Sequence, residues 1–109
     1  MSYDVAAVPN FRRELKKLAR KFPSLRDDLA KLIESLKENP EKGTGLGKGF
    51  YKICMAITSK GRGKSGGARV ITYVMVTKET VYLLSIFDKS DKETISDKEL
   101  LELLDGLDL

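Results

Sequence analysis

The chain of 109 residues is 41% hydrophobic and 33% charged, which suits one packed core and a single domain over residues 1–109 and argues against a disordered chain. Twenty Lys and Arg against sixteen Asp and Glu leave a net charge of +4, a balance that leans toward anionic partners. With no histidine and one cysteine, Cys54, the sequence excludes Ser-His-Asp and Cys-His catalysis, histidine or cysteine-cluster metal sites, two-histidine ribonuclease chemistry and an internal disulfide.

Met1-Ser2-Tyr3-Asp4 has neither a basic region nor a hydrophobic core, so no secretory signal is expected, and the single cysteine makes a cytoplasmic protein the natural expectation. No apolar run approaches the ~20 residues that span a bilayer. Tyr3 to Val8 alternates weakly and predicts a short strand. Pro9-Asn10 predicts a helix start, with Asn10 as cap. Phe11, Leu15, Leu18 and Phe22 then repeat on one helical face, and the cations Arg12, Arg13, Lys16, Lys17, Arg20 and Lys21 read as its solvated remainder. Pro23 ends that helix. Ser24 with Asp27 predicts a capping box for a second helix, whose stripe is Leu25, Leu29, Leu32, Ile33 and Leu36 and whose stop is Asn39-Pro40.

Residues 43–49 are glycine-rich and read as a flexible loop. Phe50 to Thr58 alternates as a strand, with Tyr51, Ile53, Met55 and Ile57 on one face and Lys52 and Cys54 on the other. A connection over 59–67 leads to a β-rich run from Ala68 to Val76, a turn over 77–80 and a strand from Val81 to Phe87. Ser96 and Glu99 predict a capping box for a last helix closed by Gly106. The expected order is β-α-α-β-β-β-α, an α+β domain. Its helical hairpin covers one face of an antiparallel meander and leaves the face carrying Lys52 and Cys54 partly open.

Charge is unevenly spread along this order. Residues 43–76 carry Lys48, Lys52, Lys60, Arg62, Lys64 and Arg69 and no carboxylate, whereas 77–109 hold nine acids against four bases. An uncompensated positive segment attracts phosphates or an acidic partner. Within it, Lys60, Arg62 and Lys64 alternate with glycines, a composition that turns backbone N–H groups and cations toward an anion. Gly61-x-Gly63-x-x-Gly66 fits a dinucleotide pattern by letter, but it leads into a strand where a helix N-terminus is required. Gly63-Lys64-Ser65 fails as a phosphate-binding loop for the same reason. Met55, Tyr73 and Tyr82 read as packing residues.

Tyr51-Lys52-Ile53, the run from Lys60 through Gly-Gly-Ala to Arg69, and Tyr82 through Ile86-Phe87-Asp88-Lys89 resemble the RelE/ParE superfamily of toxin–antitoxin toxins, within it the HigB-like branch. The Leu-Lys-Lys-Leu segment and the Glu-Asn-Pro helix ending resemble it too. The resemblance implies two helices packed on an antiparallel sheet. It also implies ribosome-dependent mRNA endonuclease activity without metal or cofactor, through attack of an RNA 2′-OH on the adjacent phosphate, and neutralisation by a cognate antitoxin. On that resemblance Lys52 activates the 2′-OH or stabilises charge, Arg69 clamps the scissile phosphate, Lys89 contacts phosphate or assists the leaving group, and Phe87 keeps a stacking ring. Lys60, Arg62 and Lys64 grip the RNA backbone.

Two positions depart from the family pattern. Cys54 stands where many relatives carry a second cation, and Phe87 where the HigB-like pattern has tyrosine. An attenuated nuclease and a non-cleaving RNA- or antitoxin-binding homologue both follow from those departures. A ParE-like inhibitor of a topoisomerase is the rival reading, opposed by the density of cations. The acidic tail over 91–109 leaves two covers open for the cationic face, an antitoxin or the tail's own helix.

Overall fold

The computed structural model describes residues 2–61, 63, 66–92, 94–105 and 107. It contains β1 (Asp4–Ala7), α1 (Pro9–Lys21), α2 (Leu25–Glu38), β2 (Thr44–Gly47), β3 (Phe50–Met55), β4 (Ala68–Met75), β5 (Thr80–Asp88) and α3 (Asp97–Asp105). The five strands form one sheet in the order β1-β5-β4-β3-β2. β1 runs parallel to β5, and the other pairs are antiparallel. The α+β expectation therefore holds, with one strand more than predicted.

That strand is β2, which falls in the glycine-rich stretch read as a loop. It adds to the free edge of β3, with Thr44 opposite Lys52 and Gly45 opposite Tyr51. Its hairpin turn needs left-handed backbone at Gly47 and Gly49, and glycine takes this conformation without a Cβ penalty. Periodicity could not reveal it, because the strand offers only Leu46 as an apolar side chain.

The helices start differently from the prediction as well. Val8, not Asn10, occupies the N-cap of α1. Asn10 lies within the helix, where its amide donates to the Leu84 carbonyl at 3.0 Å and to Glu14 at 2.8 Å. The reason is topological. β1 pairs with β5 only as far as Leu83, so beyond it the β5 edge has unsatisfied carbonyls, and α1 lies along that edge. The Ser24–Asp27 capping box does not form: the Ser24 hydroxyl donates to Asp28 and its oxygen accepts from Ser59. The box at α3 does form, with the Glu99 N–H donating to Ser96 Oγ at 3.2 Å and the Ser96 N–H to Glu99 Oε1 at 3.4 Å. Gly106 lies outside the described residues.

The core follows the predicted stripes. Phe11, Leu25, Leu29, Leu32 and Leu36 from the helices are buried together with Ile53, Met55, Ile57, Val70, Val74, Val81, Leu83 and Ile86 from the sheet side. Each such side chain contributes about 1.5–3 kcal/mol relative to exposure. Burial of Ile53 and Met55 turns Lys52 and Cys54 to the opposite face, as alternation requires.

Candidate functional site

Strand pairing fixes the composition of that opposite face. Cys54 is the cross-strand partner of Arg69, and Arg69 is in turn the partner of Phe87, so the three side chains form one row across β3, β4 and β5. The next row is Lys52, Ile71 and Ser85. Lys52 and Arg69 thus project from adjacent strands on the same face as diagonal neighbours, roughly 7–8 Å apart at the backbone and within reach of long side chains. Lys52 is half-buried, Cys54 is exposed, and Arg69 is only 4% exposed. One Arg69 nitrogen donates to the carbonyl of Ala68 at 3.3 Å.

Gly67 brings the chain into β4 so closely that a Cβ there would stand 2.1 Å from the carbonyl oxygen of Met55. This approach sets the start of the β3–β4 ladder and hence the position of Arg69 two residues on. Lys89 follows β5, half-buried, and its N–H donates to the Gly67 carbonyl at 3.0 Å, which ties the end of β5 to the same point.

Two expected RNA contacts have partners within the protein. Lys60 Nζ lies 2.7 Å from Asp88 Oδ1, and it also sits 5.5 Å from the centroid of the Phe22 ring. Asp88 is 1% exposed and accepts the Ser90 N–H as well. Burial acts to raise the Asp88 pKa, but the hydrogen bonds from Lys60 and Ser90 outweigh it and hold the carboxyl below its ordinary range. Lys60 therefore serves as a clasp, not as a cation presented outward. Phe87 is 8% exposed, and the Lys92 ammonium stands 5.1 Å from its ring centroid, itself paired with Glu99 of α3. The ring that sequence reading offers for base stacking is thus capped by a cation. Arg62 and Lys64 lie outside the described residues.

The loop carrying Lys60 is pinned at its start too. Asp28 of α2 accepts the Thr58 N–H at 2.9 Å and the Thr58 hydroxyl at 2.6 Å, while Ser24 and Ser59 bond one another. These hydrogen bonds overcome the desolvation that would raise the Asp28 pKa, and the net shift is downward. Sequence reading missed Asp28 and Asp88 because their partners lie 30 and 28 residues away on other elements, and Lys92 because only the turn at Asp88, whose carbonyl accepts the Asp91 and Lys92 N–H groups, folds it back over Phe87.

The tail lies on the site's face. Leu100 of α3 is buried, and Asp97, Leu100 and Leu101 line a cavity together with Leu46, Lys48 and Phe50. Phe50 shares its face with Lys52 and Cys54, so α3 covers the Phe50 end and leaves Cys54 exposed. Of the two covers left open by the sequence, the tail helix occupies part of the face within this chain.

The family model described as the RelE toxin of the RelE/RelB toxin–antitoxin system matches residues 11–105. Among solved structures, the isolated E. coli RelE toxin superposes with a TM-score of 0.62 at 21% identity, covering 97% of this chain and 100% of that one. The RelBE2 toxin–antitoxin complex from Mycobacterium tuberculosis gives 0.61 at 19% identity, over 81% of this chain and 99% of that one. An arginine-substituted E. coli RelE in complex with a RelB antitoxin peptide gives 0.58 at 21% identity, over 94% of each chain. The predicted helical hairpin on an antiparallel sheet is the architecture these structures share with it. The chain belongs to the RelE family, the toxins of RelE/RelB toxin–antitoxin systems.

Proposed function

We propose that this chain cleaves mRNA on the ribosome, as RelE toxins do, and that the row of Cys54, Arg69 and Phe87 with Lys52 beside it is where the codon lies. The observation that carries the reading is the convergence of Lys52 and Arg69 on one face of adjacent strands. In the proposed step the 2′-oxygen forms a bond to the adjacent phosphorus and the bond from phosphorus to the 5′-oxygen breaks, leaving a cyclic phosphate and a 5′-hydroxyl. The 2′-OH proton passes to solvent. Arg69 grips two phosphate oxygens with its planar fork. Lys52 stabilises the charge that develops on the phosphorane and the attacking oxygen, and Lys89 supplies a proton to the leaving 5′-oxygen. No step uses a metal or cofactor. Lys60 contributes by fixing the loop through Asp88.

The remaining readings extend this one. Ile86 and Lys89 keep the spacing of the HigB-like Ile-Tyr-x-Lys segment and favour placement in that branch, with Phe87 standing in place of its tyrosine. A cognate antitoxin, acidic or amphipathic, is the partner expected to neutralise the cationic face, and the ribosome with its mRNA is the target. The site of action is cytoplasmic, and no helix among the described residues is long and apolar enough to cross a membrane. Cys54 removes one cation from the row, so the nuclease is attenuated relative to a chain with arginine or lysine there.

The test is a reconstituted translation reaction with purified protein and a defined mRNA, read by primer extension. Cuts within the A-site codon that need ribosomes are expected and disappear in Arg69→Ala. Intact mRNA at all protein concentrations rejects cleavage, and inhibition of gyrase supercoiling by the same preparation favours the topoisomerase-inhibitor alternative.

A further inference from the structure

A cavity of about 460 Å³ lies between the start of α1, β5 and the tail. Its size falls in the ~300–1,000 Å³ range of small-ligand sites. It adjoins the codon-holding face. Ser85, which lines it, stands in the row of Lys52 and Ile71, and its hydroxyl donates to Glu14 Oε1 at 2.8 Å. Lys92, the cation over the Phe87 ring, lines it as well.

The lining divides by chemistry. Buried Val8 and Ile95 and half-buried Leu103 are apolar and come from two separate stretches of chain. Most of the polar groups engage one another. Lys92 is paired with Glu99, and Arg13 donates to Asn10 at 2.7 Å. The Asn10 amide in turn serves the Leu84 carbonyl and Glu14 Oε1.

Glu14 is the exception. Asn10 and Ser85 each donate to Oε1 at 2.8 Å, which fills the two acceptor positions of that oxygen and holds the carboxyl in place. Among the described residues, no hydrogen bond ends on Oε2. This half-buried side chain therefore meets the cavity with one oxygen held and the other left for a ligand.

Charge narrows the class of ligand. Glu14, Glu99 and Glu102 against Arg13 and Lys92 leave the lining net negative, so a phosphate is repelled. An uncharged group with N–H donors on its edge suits apolar walls and a lone acceptor. Nucleobases are read in this way, by contact with the ring and hydrogen bonds to the pairing edge. Guanine presents two adjacent N–H donors there. Adenine and cytosine present one amino group beside an acceptor nitrogen, and uracil one N–H between two carbonyls that a carboxylate repels.

We infer that this cavity receives one base of the bound codon and that Glu14 is its specificity-determining residue, favouring guanine and rejecting uracil. The inference deepens the reading of the sheet face as the codon site and rests on it. β5 is the strand next to Arg69, about 4.8 Å away, so a base attached to a phosphate held at Arg69 reaches the cavity beside Ser85.

The test uses the full chain and fluorescein-labelled 2′-deoxy homotrimers of G, A, C and U. These lack the attacking hydroxyl and report binding apart from cleavage. Anisotropy titrations are expected to give at least ~10-fold tighter binding of the G trimer than of the U trimer. In Glu14→Gln the amide oxygen still accepts from Asn10 and Ser85, while the amide nitrogen replaces the open acceptor with a donor. The preference for G over U then vanishes or reverses, which loss of a merely structural contact does not produce. Leu103→Trp fills the cavity from α3 and brings the G trimer to the affinity of the U trimer, with a melting temperature near wild type. It decides alone if Glu14→Gln does not fold. Equal wild-type affinities for all four trimers overturn the inference, as does a preference that survives either folded variant. An arginine-rich peptide that loses affinity in Glu14→Gln while the trimers are unaffected assigns the cavity to a basic protein segment and overturns it too. If the chain prefers G but cuts no A-site codon, the nuclease reading fails and the base pocket stands. If it cuts A-site codons yet binds all trimers equally, the pocket fails and the nuclease reading stands.

Discussion

Cys54 and Arg69 are direct cross-strand partners on the site face, yet Cys54 is exposed while Arg69 is almost fully buried. A neutral side chain therefore occupies the solvent-facing position nearest to the proposed phosphate clamp. Cys54→Arg adds a cation there without disturbing the core. Losing one charge-stabilising donor commonly costs ~10²–10³ in rate, so gaining one is expected to raise A-site cleavage by about 10-fold or more. Stability is expected to stay within about 0.5 kcal/mol of wild type, as for most exposed substitutions. Cleavage rates and thermal melts of the two proteins check both, and an unchanged rate rejects the attenuation argument.

Arg69 and Lys52 are expected to separate by their second effect. Either residue changed to Ala lowers cleavage by ~10²–10³-fold, because each removes one group aimed at phosphate charge. Arg69→Ala also destabilises, since a buried side chain is removed, whereas Lys52→Ala does so weakly. Arg69→Lys recovers little activity, because an ammonium lacks the two-pronged geometry. Single-turnover cleavage alongside urea unfolding distinguishes the two residues.

The Asp88–Lys60 clasp predicts a pH dependence. The folded Asp88 pKa lies below its ordinary value of about 3.9. The stabilisation is therefore present above about pH 4 and is lost as pH falls through the folded value. Asp88→Asn removes it at neutral pH, at a cost of about 3 kcal/mol for leaving a largely buried lysine without its partner. Stability of the variant then declines less steeply toward acid than that of wild type. Asp28, lowered by its bonds to Thr58 and Ser24, retains its own part of the acid limb. Chemical denaturation between pH 3 and 7 tests the sign (pH limits on the order of the ordinary carboxylate range).

Gly67→Ala is expected to damage the fold more than its size suggests. The added Cβ meets backbone, which cannot swing aside, so the β3–β4 ladder must shift at its start. We expect a lower melting temperature together with lost cleavage, since the shift moves Arg69. Gly61→Ala, where no atom lies within 4 Å, is strained only by its left-handed backbone and costs about 1 kcal/mol. Paired melts of the two variants decide this.

Leu36, fully buried on α2, gauges the core itself. Leu36→Ala is expected to cost about 2–5 kcal/mol, through lost transfer energy and the cavity left behind. Its cleavage at low temperature, where the fold persists, stays near wild type. Equilibrium unfolding and activity at two temperatures check the pair of claims.

The two amphipathic helices, four of the five strands and the face on which Lys52 and Cys54 lie are legible in the amino-acid order alone. Helical and strand periodicities are local, and burial of Ile53 leaves its neighbours only the other side. The absence of histidine likewise limits the chemistry through composition, whatever the fold. Which cations face outward is a matter of tertiary packing. β2 exists because β3 offers it an edge, and Asn10 serves the Leu84 carbonyl because β1 ends early. Lys60 turns to Asp88 across 28 residues, a separation that no short motif spans, and Lys92 reaches Phe87 only because the turn after β5 folds it back. A charge in a sequence has no direction until packing supplies its partner.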